Sequence, residues 1–557
     1  MWKQAASRKA DSVNALIPHE WRIPSPPSNQ EQVDITGSYV QQFLSAQEIE
    51  ITEADAAFIA KKTASGEWTA VDVTKAFCHR AALAHQLLNC LHEIFFEDAI
   101  AHAQKLDEEL ASSKRPAGPL HGVPVSLKDQ FHVRGVDTTM GYVGWIGTFQ
   151  GEVGTGKDKV FESEMVRELR AAGAVLYCKT AVPHTLMSGE TINNIIGYVW
   201  NPKNRNLSAG GSSGGEGALI GLKGSPLGFG TDIGGSIRIP SAFCGVFGIR
   251  PSAGRLPYEG MANSMDGQNS ILSVVGPLAS SVQSLRLAVQ AILAQQPWLH
   301  DPLVLELPWR SKEEQLILDA AKGATGRLAF GVFTYDEVVA IHPPVARAVD
   351  IVVKTVEKLG HELVQWKPPS HDRIFQIGLK TWFYDSGADV QKAFELSGEP
   401  QASQVSSLYG AKGRPMDAVQ IAENNVLKRE IQKEYMDYWN STQDQTGTGR
   451  PVDAIIAPCA PFAAARPNGY TYVGYTLFVN VLDYTSVVIP VTQVDKSIDK
   501  ALDNFQPISE LDKATQATYD PDIYDGAHVS VQLVGRRLQE EKMLAIAELL
   551  SDALAKT

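Results

Sequence analysis

A chain of 557 residues with 44% hydrophobic and 20% charged side chains can bury a large core, and that balance excludes the disordered and fibrous classes. Fifty basic against 63 acidic residues give a formal charge of −13, which leaves no electrostatic footprint for nucleic acid or an anionic membrane surface. A neutral or cationic small molecule is the partner that fits this balance.

Residues 1 to about 50 contain Ile17-Pro18-His19-Glu20-Trp21-Arg22 and then Pro24, Pro26 and Pro27 in a polar setting. Proline at that density disfavours regular structure, so the stretch reads as an arm that crosses the main body and docks through Trp21. Thr52 to Lys62 reads as a short helix stopped at Ser65-Gly66. Thr69 then caps a helix in which Val73, Phe77, Ala81, Ala84 and Leu88 recur at helical spacing. A short strand at Ile94 to Phe96 and a helix from Asp98 to Leu110 follow. His79, His85, His92 and His102 are scattered here without a supporting carboxylate pattern, so no metal is expected.

In Leu120-His121-Gly122-Val123-Pro124-Val125-Ser126-Leu127-Lys128-Asp129, alternating apolar residues predict a buried strand with Lys128 at its C-terminal end. An ammonium there is expensive to bury without a role. Spacing alone leaves two readings open, a structural pairing with Asp129 and a catalytic lysine. Phe161 to Ala172 reads as a helix and Ala174 to Lys179 as a strand, with Thr185-Leu186-Met187-Ser188 after it.

The stretch from Gly210 to Arg250 is dense in glycine and carries Ser212, Ser213, Ser225 and Ser236. Gly215, Gly217 and Gly221 fit one face of a short packed helix. Gly234-Gly235 before Ser236 predicts a turn that aims consecutive N–H groups at one point, as an oxyanion hole requires. Beyond it, Val345 to Leu359 and Asp417 to Trp439 read as amphipathic helices. Asp453 to Pro458, Tyr484 to Pro490 and Val531 to Arg537 are apolar strands of the kind a sheet covered on both faces needs.

Gly210-Gly211-Ser212-Ser213-Gly214-Gly215-Glu216 followed by Gly230-Thr231-Asp232-Ile233-Gly234-Gly235-Ser236-Ile237-Arg238-Ile239-Pro240 closely resembles the signature of the amidase signature family. Within that family the chain is most similar to fungal acetamidases, and more distantly to fatty acid amide hydrolases. The resemblance covers nearly the whole chain and includes the 120–129 strand, Pro251 to Pro257 and Val274 to Ala279. It implies an α/β fold with a central mixed, twisted β-sheet covered by helices on both faces. Residues 1–68 would form an arm and helix, 69–557 the signature domain, and 303–453 its variable, helix-rich pocket region. His528 stands where many relatives have proline.

For chemistry, the resemblance implies hydrolysis of small, acetamide-like carboxylic amides to the acid and ammonia or amine. The route is a seryl acyl-enzyme with no metal and no organic cofactor; aryl amides and carbamates stay open. Ser236 is the implied nucleophile, Ser212 the proton relay and Lys128 the terminal base. Ile233, Gly234, Gly235 and Ser236 are implied as the oxyanion turn, the Leu186 carbonyl and Ser212 as substrate contacts, and Ser213, Asp232 and Arg238 as loop supports. The Gly211–Ser212 peptide bond is implied to be cis. A base at Lys128 must lose its proton near neutral pH, so its pKa must fall by about 3 from an unperturbed value of about 10.4. Asp129 should therefore point away, and Ser126 or Ser213 should join Ser212 around the amine.

Competing readings fare worse. Gly210-Gly211-Ser212-Ser213-Gly214 also matches a nucleophile elbow, but Asn201 to Asn206 is not the apolar strand that must precede one. Gly215-x-Gly217-x-x-x-Gly221 fails as a dinucleotide loop for the same reason. Within the family, a fatty acid amide or carbamate hydrolase is the first alternative. An amidotransferase A-type subunit is the second, and the arm and the −13 charge argue against it. The five cysteines, odd in number and far apart, read as buried thiols of a reducing compartment. No apolar signal core and no run of about 18 apolar residues occur, so a cytoplasmic location without stable membrane insertion is expected, and a homodimer is compatible with it.

Overall fold

The computed structural model describes residues 1–321, 326–410 and 413–556. Its centre is an 11-stranded sheet. The strands are β1 (Leu91–Ile94), β2 (Pro124–Lys128), β3 (Val175–Thr180), β6 (Leu227–Asp232), β7 (Phe247–Arg250), β8 (Val274–Ala279), β9 (Ala329–Val332), β10 (Glu362–Gln365), β11 (Ala454–Pro458), β12 (Ser486–Gln493) and β13 (His528–Val534). A separate two-stranded hairpin, β4 (Ile192–Asn193) with β5 (Gly197–Tyr198), stands outside it. The spatial order is β1-β3-β2-β6-β8-β7-β12-β13-β11-β9-β10. Pairings β2–β3, β2–β6, β9–β11 and β9–β10 are parallel and the others antiparallel, which makes the sheet mixed, as expected. Every residue of β2, β3, β6, β8 and β11 is buried, whichever way it points, so helices must cover both faces. His528 opens β13 opposite Gln493 of β12, so the departure from proline keeps this position paired, past a bulge at Pro490–Thr492.

Thr69 caps the helix Ala70–Leu88 by accepting from Asp72 N–H at 3.0 Å, as its position predicts. Several boundaries differ from the sequence reading. Residues before Pro18 are helical, Trp2–Ala15, because the prolines all lie beyond that segment. Only Ala6 and Val13 of that helix are buried; Ala6 packs with Val143 and Ile195, and Lys9 adds ion pairs to Glu93 and, at 3.1 Å, to Asp137. Trp21 docks as expected, stacked on His79 with ring centroids 5.1 Å apart. The expected helix over 52–62 is two, Ala46–Glu53 and Ala56–Ala64, since Asp55 breaks the first and caps the second by accepting from Phe58 N–H at 2.7 Å. All five cysteines are buried and unpaired, and burial pushes the thiol pKa values up. Among the described residues no helix is long and apolar enough to cross a membrane.

Candidate active site

Strands β2 and β6 run parallel with Leu127 opposite Phe229, so their C-terminal ends, Lys128 and Asp232, open on the same edge of the sheet. That edge is where parallel α/β architectures place their chemistry. Lys128 is fully buried, and its Nζ donates to Ser212 Oγ at 2.8 Å and to Thr231 Oγ1 at 2.7 Å. Burial drives its pKa down to about 7, against the raising pull of Asp232 and Glu216. The second hydroxyl is thus Thr231, not Ser126 or Ser213. Ser126 donates instead to Glu216 Oε2 at 2.6 Å, and the Ser213 hydroxyl faces the Thr231 carbonyl at 3.4 Å. Thr231 passes its own proton donation on to Gln130, whose amide is fixed on the Ala262 carbonyl at 2.8 Å.

Asp129 points away from Lys128, as strand alternation requires. It pairs with the buried Lys179 at 2.8 Å and accepts from Met140 N–H at 2.9 Å and from Thr139 at 3.1 Å. Its charge is therefore neutralised on the opposite side.

Glu216 is a site residue that the sequence reading passed over. It lies in the glycine-rich helix Gly214–Gly221, and its carboxyl accepts from Ser126 and, at 2.9 Å, from Thr180. Ser126 precedes Lys128 by two residues, so both face Glu216 from the same side of β2. Burial raises the Glu216 pKa to about 7, with Ser126, Thr180 and Lys128 pulling it back. A lone acid in an otherwise apolar, glycine-rich helix was the available signal. Its negative charge holds the Lys128 pKa up, so in Glu216→Gln the acid-side inflection of kcat/KM against pH should move about one pH unit lower. An active Glu216→Gln with an unmoved inflection would remove this coupling.

The turn after β6 is built around Asp232. Its Oδ1 accepts from Gly235 N–H at 2.8 Å and its Oδ2 from Ile237 N–H at 3.2 Å, while Arg238 grips both oxygens at 3.0 Å. Burial alone would raise the Asp232 pKa, but the Arg238 ion pair and the Asn480 amide hold it at about 2. Arg238 is itself anchored on the Thr476 carbonyl and Gln532 at 3.0 Å each. Gly235 has φ +136°, and a β-carbon there would sit 2.4 Å from Thr476 Oγ1, so only glycine fits. Of the expected oxyanion residues, Gly235 differs from the other three. The Gly235 N–H is spent on Asp232, whereas those of Ile233, Gly234 and Ser236 have no partner among the described residues.

Ser213 N–H donates to the Ser236 carbonyl at 3.1 Å, which ties the two serine loops together, and the Gly211–Ser212 peptide is cis, as implied. Ser236 is 8% exposed; its hydroxyl is free of hydrogen bonds among the described residues and lines a cavity of about 470 Å³. Leu186 lines the same cavity from a left-handed backbone, φ 66° at Thr185 and 65° at Leu186, which turns the chain beside the serine. The structure thus gathers Lys128, Ser212, Ser236, the turn and Leu186 at one place. Among the described residues no group of three or more His, Cys, Asp or Glu converges as a metal site would.

The family model described as Amidase matches residues 72–544. The chain belongs to the amidase family. It is 47% identical over 547 residues to an acetamidase of Aspergillus oryzae, covering 98% of each chain. To an acetamidase of Emericella nidulans it is 45% identical, covering 98% of this chain and 97% of the relative. Among solved structures, a fatty acid amide hydrolase superposes with a TM-score of 0.89 at 30% identity, covering 99% of this amidase and 95% of that chain. The mixed sheet flanked by helices is the fold of these family members.

Proposed function

We propose that this amidase hydrolyses small carboxylic amides to the carboxylic acid and ammonia or amine through an acyl-enzyme on Ser236. The observation that carries the reading is the buried Lys128 amine, with a pKa of about 7, held 2.8 Å from Ser212 Oγ beside a serine whose turn presents N–H groups unpaired among the described residues. The acetamidases that match over nearly the full length support the small acyl group. The five buried, unpaired thiols support a reducing, cytoplasmic setting.

In the first half-reaction Ser236 Oγ attacks the amide carbonyl and turns toward Ser212 to hand over its proton. Ser212 passes its own proton to the Lys128 lone pair, while Thr231 continues to accept an N–H of the amine. The carbonyl oxygen gathers negative charge and is met by the N–H groups of Ile233, Gly234 and Ser236. The Leu186 carbonyl accepts an N–H of the substrate amide and so fixes the lone pair of the leaving nitrogen. The proton returns through Ser212 to that nitrogen, the C–N bond breaks, and ammonia or amine leaves. Water then attacks the ester with the same relay and frees Ser236.

The test supplies acetamide with and without hydroxylamine. Ammonia should equal acetate in the first case, and acetohydroxamate should form in the second, because hydroxylamine intercepts the acyl-enzyme. Ammonia without hydroxamate would overturn the covalent route, and no ammonia from any short amide would overturn the function.

A further inference from the structure

Two cavities meet at Ile233, in the turn that leads to Ser236, and Ser236 itself lines the first. The first, of about 470 Å³, is mostly apolar and walled by Phe375, Leu379 and Phe383, with Ser403, Gln404 and Asn468 also on its lining. The second, of about 540 Å³, is the more polar of the two: Asn263, Asp266 and Gln268 line it beside Phe161, Leu256 and Met261. Three residues belong to both walls: Met187, Ile233 and Trp382.

Trp382 is the largest of the three and the most firmly held. It ends the helix His371–Trp382, which Asn424 of the neighbouring helix Ala418–Ser441 grips through the Ile377 carbonyl at 3.2 Å and Thr381 at 3.0 Å. Its ring lies directly over Gly234, where a β-carbon would be 2.6 Å from Cη2. The indole therefore packs against the backbone of the oxyanion turn, and Gly234 is glycine to admit it. Trp382 is 7% exposed, yet its indole N–H has no acceptor among the described residues. Buried donors are almost always paired, so an orphaned one in a cavity wall marks a place for a ligand oxygen.

We propose that Trp382 is the specificity-determining residue of this site: its indole divides the mostly apolar first chamber from the more polar second one and sets the length of acyl group that Ser236 can serve. Acyl groups that fit the first chamber are accepted, and longer chains meet the indole face. This rests on the amide-hydrolase reading above. Removing the indole joins the chambers and gives a long chain a path past Gly234 toward Asn263 and Gln268.

The experiment measures two profiles against chain length for wild type, Trp382→Ala and Trp382→Phe. One is kcat/KM for acetamide, butyramide, hexanamide and decanamide. The other is the rate of covalent labelling by alkyl fluorophosphonates of matching lengths, read by intact mass. In Trp382→Ala the ratio of long to short chains should rise at least about ten-fold in both, a factor in keeping with the worth of one or two methylenes in a pocket. Trp382→Phe, which keeps a wall but lacks the N–H, should stay near the wild-type ratio. A folded, labelled Trp382→Ala with the wild-type profile would overturn the proposal; if that variant does not fold, Trp382→Leu is judged by the same ratio. Wild type that is labelled but releases no ammonia from any amide would overturn the function while the labelling profile still decides the role of Trp382.

Discussion

Ser236→Ala is expected to lower kcat by at least about 10⁴-fold with little change in KM, and to abolish labelling by an alkyl fluorophosphonate. Of the two serines, Ser236 alone offers its hydroxyl to the cavity; the Ser212 hydroxyl receives Lys128, and that residue is 1% exposed. The unpaired N–H groups belong to the turn that carries Ser236, so an oxyanion formed by attack from Ser236 lies within their reach. Ser212→Ala should leave Ser236 reactive but deprived of its relay, a loss of about 10²- to 10³-fold with slow labelling still at Ser236. Peptide mapping of the adduct separates these roles. An adduct confined to Ser212, with an active Ser236→Ala, would reverse the assignment.

The parts of the site that could be read from the sequence are those whose chemistry is local. A lysine closing an apolar strand, and two glycines before a serine, each carry their reason within a few residues. What stayed hidden depends on side chains meeting across the fold. In the sequence Thr231 is one member of the Gly230 to Pro240 motif; that its hydroxyl and that of Ser212 meet on Lys128 depends on the parallel register of β2 and β6. The four N–H groups of the oxyanion turn looked equivalent in sequence, and only the Asp232 carboxylate, locked by Arg238 and Asn480, turns that of Gly235 inward. Trp382 lies in an amphipathic helix of the variable region, where an aromatic facing a cavity has the same periodicity as one facing the core. The N-terminal helix Trp2–Ala15 escaped for a different reason: with two buried apolar residues it has almost no stripe, and its docking on Val143 and Ile195 and through Lys9 depends on residues far away in the chain.

Lys128→Ala should lose about 10³-fold or more in kcat/KM and, with it, the pH inflection that the wild type shows. The sign follows from the amine's role. Lys128 accepts a proton only when neutral, and burial brings its pKa to about 7, so the wild-type rate should climb as pH rises through that value and then level off. Lys128→Arg tests basicity apart from charge, because a guanidinium stays protonated at every accessible pH, and it should be as inactive as Lys128→Ala. Lys128→Glu should not restore activity either. A carboxyl placed beside Asp232 and Glu216 would be a third buried acid, held protonated by desolvation and by its neighbours, and unable to act as a base near neutral pH. The same burial leaves a mark on stability. The amine's folded pKa lies below its unfolded value, so between about pH 7 and 10 the unfolded chain binds the extra proton, and wild-type stability should gain with rising pH over that window. A wild-type rate flat from about pH 6 to 9, together with a Lys128→Ala variant near full rate, would remove Lys128 from the mechanism.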